Sequence, residues 1–540
     1  MLLPSRGRRI ASFVLSDPRL ISLLTIAYIG AGFVFVHTDY TLNDEGLLTH
    51  YWASWARQDF FPVFFFQKVK PILCVLYLPF SVGGVHATLA AHVVVSSLSI
   101  PMIASTARAL GHRLPNLPAI VLALSPLYFF GGSAALSNID GAVGVTLVFY
   151  LLGVQRWPLL AGMVAGLLPW VRFELALFAL VIALSAVTSE RDRSALLGLL
   201  IFPVLYAAAG ALYHRDPLWL VHFPPSAPLD PGNPVYRGQL IGLRYFLEPA
   251  LALTPAAAAV AALRVGRLGR LERVALIYAL AATAAVHVLP IFKIGNFGAS
   301  PRYSVHVLPV LALLLGRAVE PWWEGERLRA SGLVATLLLA AWMATRQTDQ
   351  RVIIPFLVVY AMIVTIARLH PGALAVMLVA ALAAAGPLLP VRFEIGRAIT
   401  APYLDPIVEW LQAHPAEAAA PIYTNSQLLA PFLENRGRPP GAGVFFVVGV
   451  EMVREELFLT NPNNGQRERL IRVGSTDLYG KTIVGLVRPD DLPPGSLLAL
   501  RVESRLPLLF PEAVWAQRLE VLAESPLYRI ARLRQTGAVR

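Results

Sequence analysis

Apolar residues fall in long blocks along this chain. From Leu20 to Pro390, stretches of roughly 17 to 22 residues recur, each ended by a short polar or arginine-bearing connection. Coiled as a helix, each block is long enough to cross about 30 Å of hydrocarbon. The pattern predicts about thirteen such spans. The first runs from Leu20 to Val36. The others cover about 88–107, 116–132, 141–154, 158–170, 174–189, 194–213, 246–263, 272–292, 303–319, 330–345, 352–368 and 371–390. After Val391 the pattern becomes mixed, with helices expected over about 402–413 and 426–435 and strands over about 421–425, 482–487, 496–502 and 528–533. The chain therefore divides into a transmembrane part, 1–390, and a small α/β domain, 391–540.

Composition changes the picture only by confirming the class. Of 540 residues 56% are hydrophobic and 14% charged, with a mean hydropathy of +0.61, which excludes an ordinary water-soluble protein. The net charge of +12 is spread between the spans and not gathered on one soluble surface, so nucleic acid is not expected as a partner. A single cysteine, Cys74, excludes an internal disulfide framework and a cysteine zinc site. The basic start before Leu20, with Arg6, Arg8, Arg9 and Arg19, is followed by no small-x-small cleavage pattern and reads as an uncleaved anchor.

Arginine placement supplies orientation. The connections 108–113, 191–193, 264–273 and 317–329 are arginine-dense and alternate with longer, less basic loops. The positive-inside bias puts the dense ones in the cytoplasm. This works only if the apolar stretch Pro71 to Gly84 does not cross: about 14 residues give roughly 21 Å of helix, too short for the hydrocarbon. It is expected as one of two interfacial helices in the first outer loop, 37–87; the other runs from Asp44 to Gln58. In that helix Leu47, Leu48, Tyr51, Trp52 and Trp55 share a face. Phe60, Phe61, Phe64, Phe65 and Phe66 then make an aromatic patch before Lys68 and Lys70. A second outer loop, 214–245, is rich in proline. The expected location is a bacterial-type cytoplasmic membrane, with these loops and the C-terminal domain extracytoplasmic.

Candidate chemistry sits at the outer ends of the spans. Asp44 has the chemistry of a general base, with Glu45 beside it, but its position also suits a helix cap. Lys70, and more weakly Lys68, can stabilise negative charge developing on a departing phosphate, although snorkelling beside apolar surface is the plainer account. Asp140, Arg172, Glu174 and Arg302-Tyr303 lie close to hydrocarbon, where ionisable groups face partners or a polar cavity; a structural ion pair is the competing account. Asp44, Glu45, His50 and Asp140 have donor types for a divalent metal, without diagnostic spacing.

Four stretches together, Leu42-Asn-Asp-Glu-Gly, Lys70-Pro-Ile-Leu, Trp170-Val-Arg-Phe-Glu and Pro301-Arg-Tyr-Ser-Val-His-Val-Leu-Pro, carry a family likeness. In order and approximate separation the chain resembles the GT-C membrane glycosyltransferases, the group containing protein O-mannosyltransferases and the lipid A aminoarabinose transferase. That group has Lys-Pro-Pro and an Arg-Pro-Glu-like turn, where this chain has Ile72 and Phe173. The resemblance implies an inverting glycosyltransferase that takes a sugar from a polyprenyl-phosphate donor at the outer leaflet. Asp44 would be the base, with Glu45 beside it. Lys70, Arg302, Tyr303 and Lys68 would hold the lipid phosphate or donor, and Asp140, Arg172, Glu174 and His50 would support the cavity. The acceptor, whether glycan, protein or lipid, is left open. Two other readings stand beside it: a flippase for a lipid-linked sugar, and a silent scaffold that keeps the fold.

Overall fold

The computed structural model describes residues 16–36, 49–50, 52–54, 56–57, 60–65, 70–222, 268–288, 305–323, 404–420, 422–424, 444–447, 483–484, 495–501 and 519–534. Their long helices, in chain order, are α1 (Pro18–Val36), α2 (Pro71–Tyr77), α3 (Gly84–Ser97), α4 (Ser99–Ala109), α5 (Leu117–Leu124), α6 (Pro126–Ser133), α7 (Ser137–Tyr150), α8 (Pro158–Leu167), α9 (Ala176–Val187), α10 (Ser194–His214), α11 (Arg270–Val288) and α12 (Leu308–Trp323). Four helical stretches among the described residues are long and apolar enough to cross a membrane: Pro18–Val36, Phe80–Ala109, Ser137–Gln155 and Glu190–His214. Large apolar side chains on α1 and α10, among them Ile26, Val34, Leu197, Leu205 and Leu212, are exposed. Polar groups are buried elsewhere in the chain, and apolar surface turned outward is what a hydrocarbon solvent selects. This is a polytopic membrane protein.

The expected span 116–132 is two helices. Ser125 is extended (φ −66, ψ 116) and its hydroxyl accepts from the Tyr128 N–H, while Pro126 stands at the first helical position. Proline cannot donate to the preceding turn and pushes its predecessor out of helical conformation, so the break is written in the Ser125-Pro126 dipeptide. The stretch after Lys70 is likewise broken. Seven residues of α2, roughly 10 Å, are followed by a 3-10 turn, Phe80–Gly83, and by Gly84 at φ +81, so no unbroken α-helix runs through this segment.

The chain forms two compact units. The first comprises 1–35, 92–209 and 228–390. In it α7 packs on α4, α8 and α12, and α11 packs on α9 and α12. Between α8 and α10 the backbones nearly touch: a β-carbon on Gly166 would stand 2.5 Å from the Leu199 carbonyl oxygen, and one on Gly162 would overlap the Ala195 carbonyl. Small residues are what allow so close an approach in lipid, where packing replaces hydrophobic driving force.

Arginine-dense connections meet at one end of this unit. Glu272, at the start of α11, accepts from Arg317 Nε at 2.7 Å and from the Gly269 N–H at 2.6 Å, and its Oε1 lies 2.9 Å from His112 Nε2. Arg317 also donates to Glu320 at 2.8 Å and to the Leu110 carbonyl at 3.1 Å, and Arg270 pairs with Asp192. The network ties together connections whose arginine content predicted a common side.

The second unit comprises 36–91, 210–227 and 391–540. Its sheet contains β1 (Ile422–Thr424), β2 (Val444–Val447), β3 (Ile483–Val484), β4 (Leu497–Arg501), β5 (Leu519–Glu524) and β6 (Tyr528–Leu533), in the order β3-β2-β1-β4-β6-β5. β1 to β4 pair in parallel, and β6 runs antiparallel to both β4 and β5. Helix 404–413 covers it with Leu404, Ile407, Val408 and Leu411 against Ile422, Leu497, Ala499 and Ile530. The expected helix 426–435 lies outside the described residues.

Candidate functional site

In the first unit a line of polar side chains runs through otherwise apolar packing, at the ends of α9 and α12 opposite the Glu272 network. It begins on α3, where His92 Nδ1 lies 2.6 Å from the Gly132 carbonyl oxygen and Nε2 lies 3.1 Å from Asp140 Oδ2. Asp140 occupies the first turn of α7, where a carboxylate is favoured by the helix dipole. Three residues earlier, Ser137 Oγ accepts from Arg172 Nη1 at 3.4 Å.

Arg172 grips Glu174 with two bonds, Nη2 to Oε1 at 2.5 Å and Nε to Oε2 at 3.2 Å. A guanidinium and a carboxylate two residues apart meet this way because Arg172 is extended (φ −149, ψ 127) and Phe173–Leu175 form a 3-10 turn. His306, just before α12, lies close enough to act electrostatically on Glu174 and is 2.6 Å from the Tyr278 hydroxyl of α11. Gly141 allows the approach, since a β-carbon there would press on Leu175 at 2.7 Å and reach His306 at 3.8 Å.

All of these groups are buried or nearly so, and buried charge persists only when paired. Asn138, fully buried between Ser137 and Asp140, has no hydrogen-bond partner for either amide atom among the described residues. Such a group costs about 1–3 kcal/mol until a polar partner meets it.

In the second unit, Lys70 extends over the indole of Trp52, with Nζ 5.8 Å from the ring centroid, a cation–π contact. Trp52 is buried among Ala56, Val63 and Cys74, so this indole belongs to a packed core. His50 is held by the Thr88 hydroxyl at 2.9 Å, and that hydroxyl donates to the Gly84 carbonyl at 3.2 Å. With its proton so directed, Thr88 accepts from His50 Nδ1, leaving Nε2 toward Ser54 at 3.4 Å.

Of the residues expected from sequence, Asp140, Arg172 and Glu174 stand in one buried chain, and Lys70 and His50 belong to the other unit. Asp44, Glu45, Lys68, Arg302 and Tyr303 lie outside the described residues. Among the described residues no three His, Cys, Asp or Glu side chains come together as a metal site. The structure adds His92, Ser137, Asn138, Tyr278 and His306. For His92 and His306 a signal was present: an ionisable residue in or beside an apolar block is by default a candidate for function.

No protein-family model and no curated relative matches the sequence. Solved structures do match over nearly the whole length. ArnT from Cupriavidus metallidurans in its apo state aligns over 94% of this chain and 97% of its own, with 14% identity and a TM-score of 0.53. The same protein bound to undecaprenyl phosphate aligns over 95% of this chain and 97% of its own, with 16% identity and a TM-score of 0.54. The chain has the GT-C fold.

Within the GT-C fold the two departures from the motif pattern are harmless to the backbone. Phe173 is the first residue of its 3-10 turn, a position suited to proline, and Arg172 before it is extended as a residue preceding proline would be. Lys70 is likewise extended (φ −97, ψ 90) and Pro71 opens α2, so Ile72 sits in the first turn, where a second proline is tolerated but not required.

Proposed function

We propose that this protein is an inverting glycosyltransferase that moves a sugar from a polyprenyl-phosphate donor to an acceptor at the outer face of a bacterial-type cytoplasmic membrane. One observation carries the reading: a near full-length likeness to a protein solved with undecaprenyl phosphate bound, in a chain that also has a buried Arg172-Glu174 pair bonded to Ser137, three residues before Asp140 on α7. The architecture that goes with it has about thirteen transmembrane helices, two interfacial helices in the first outer loop and an extracytoplasmic α/β domain. In this reading Asp44, with Glu45 beside it, removes the proton from the acceptor hydroxyl as that oxygen bonds to the anomeric carbon. The bond from that carbon to the phosphate oxygen breaks with inversion. Lys70, Lys68, Arg302 and Tyr303 hold the phosphate, whose negative charge grows as it leaves. His50, Asp140, Arg172 and Glu174 support the cavity. A divalent metal remains compatible with the donor types at Asp44, Glu45, His50 and Asp140, and supplies no step here. Acceptors with a glycan, protein or lipid hydroxyl all suit the chemistry.

The test is donor consumption by the purified protein, given a panel of polyprenyl-phosphate sugars, compared with Asp44→Asn. Loss of turnover by about a hundredfold or more, in a variant that elutes and melts as the native protein does, is the expected result. Undiminished turnover in Asp44→Asn would remove the assignment of the base. Movement of an intact donor across the bilayer would favour a flippase or transporter, and no consumption of any donor by the native protein would favour a scaffold.

A further inference from the structure

At the end of the first unit that carries the Glu272 network, one group of arginines is not balanced by acids. The 3-10 turn Glu190–Asp192 lies between α9 and α10, and Asp192, buried there, pairs with Arg270 from the first turn of α11. Arg191, from the same turn, and Arg273, three residues after Arg270, both lie close enough to act electrostatically on Arg270. Both are exposed, and neither has a carboxylate partner among the described residues. Arg193 is already turned to Glu190, at 3.9 Å. Three guanidiniums therefore gather around one carboxylate, an excess of two positive charges.

Apolar surface runs up to this cluster from two sides. Leu180, Leu184 and Val187 recur at helical spacing on α9 and are exposed, as are Leu197, Leu200 and Val204 on α10. The two stripes end at Val187 and Leu197, on either side of the turn that carries Arg191. A ligand with an anionic head and apolar chains meets both surfaces, whereas a free anion uses only the first. Among anions a phosphate suits the guanidinium fork, which presents its donors to two oxygens at once.

We propose that Arg191, Arg270 and Arg273 bind the phosphate of an anionic phospholipid whose chains lie along α9 and α10. The lipid ties the connection 190–193 to the start of α11 and so completes the clamp that the Glu272 network begins. This site lies at the end of α9 opposite Arg172 and Glu174, and it does not depend on the donor class proposed above.

The test uses the full-length protein in an uncharged detergent, titrated with phosphatidylglycerol or with phosphatidylcholine of the same chains. Apparent affinity is taken from the rise of the melting midpoint with lipid concentration. An arginine near an anionic headgroup is worth about fivefold, so the native protein is expected to prefer phosphatidylglycerol by about twentyfold or more. The double variant Arg191→Gln/Arg273→Gln, which leaves the Arg270-Asp192 pair in place, is expected to bind the two lipids about equally, with its affinity for phosphatidylcholine unchanged. Arg534→Gln removes the same charge from an exposed position in the other unit and is expected to leave the preference intact. Inorganic phosphate at the same concentrations is expected to give no shift. Should the double variant fail to fold, added salt serves instead: it weakens phosphatidylglycerol binding by the native protein and spares phosphatidylcholine. Equal native affinity for the two lipids, equal loss of both in the double variant, or an Arg534→Gln loss as large as that of the double variant would each overturn the proposal. So would a shift with inorganic phosphate as large as with phosphatidylglycerol, or a preference that salt does not change.

Discussion

Replacing Arg172 and Glu174 by leucine, singly and together, separates a pair kept for stability from one kept for chemistry. Their side chains are 10% and 8% exposed, so solvent screening is slight and each charge depends on the other. Arg172→Leu removes both bonds to Glu174 and the bond to Ser137, and leaves a buried carboxylate without its counter-ion. Breaking one side of such a pair costs about 3–5 kcal/mol, and Glu174→Leu, which takes the two-point carboxylate contact from the guanidinium, falls in the same range. The double variant removes both charges, and apolar substitution of a whole buried pair is often neutral or stabilising. It is therefore expected to lose less than either single variant, with a coupling of at least about 3 kcal/mol. The assay is thermal unfolding in one detergent at one scan rate, followed by tryptophan fluorescence, alongside donor consumption. Both single variants should melt several degrees lower, and the double variant near native. If the losses add, the two side chains do not act as a pair and the geometry described here is wrong. If the double variant is stable and also fully active, the pair is structural and has no part in the site.

Two further outcomes follow from packing. Gly166→Leu places a side chain where a β-carbon already stands 2.5 Å from the Leu199 carbonyl and 3.0 Å from its carbon, atoms that cannot rotate away; α8 and α10 must separate, at a cost of about 1–3 kcal/mol or more, read as a lower melting midpoint. Cys74 is fully buried, and burial pushes its thiol well above the usual range, so a maleimide should label the folded protein at least about tenfold more slowly than the denatured one; equal rates would show that the Trp52, Ala56, Val63 cluster does not close over it.

The membrane class of the fold was legible because a bilayer sets a minimum length for a crossing element, and the common end of the arginine-dense connections was legible because their arginines gather there. The break at Ser125-Pro126 was also present in the sequence, but the apolar block ran straight through it and hydropathy does not register a missing N–H. Short parallel strands were harder. β2 pairs with β1 at a separation of about twenty residues, and nothing local in its four residues distinguishes a strand from any other apolar run. The site divides along the same line. Asp140, Arg172 and Glu174 stood out because charge beside hydrocarbon is expensive. Ser137 could not stand out, since its role is set by a guanidinium 35 residues away. His92 depends on a carboxylate 48 residues away and on a carbonyl that a turn happens to present, relations that only the packed helices create.

The first unit carries ionic networks at opposite ends of α9 and α12, and they differ in a way that bears on what each does. Around Glu272 the demand is nearly met: its carboxylate takes an arginine, a backbone N–H and an imidazole, Arg317 is shared with Glu320 and Leu110, and in this cluster around Glu272 itself His112 Nδ1 lacks a partner among the described residues. With Nε2 as the donor to Glu272, that nitrogen is a single unfilled acceptor. A network so filled holds connections together and leaves little for a ligand to add. Near Asp140 and Arg172, by contrast, the fully buried Asn138 amide, with two donor hydrogens and an acceptor, meets no partner among the described residues. Packing alone would have favoured an apolar residue there, since a buried amide without partners is a standing cost. Under the proposed function, a site that receives a hydroxylated, phosphate-bearing lipid has a use for such a group. Under that proposal the contrast argues for one end as a clamp and for the other as the end that meets the ligand.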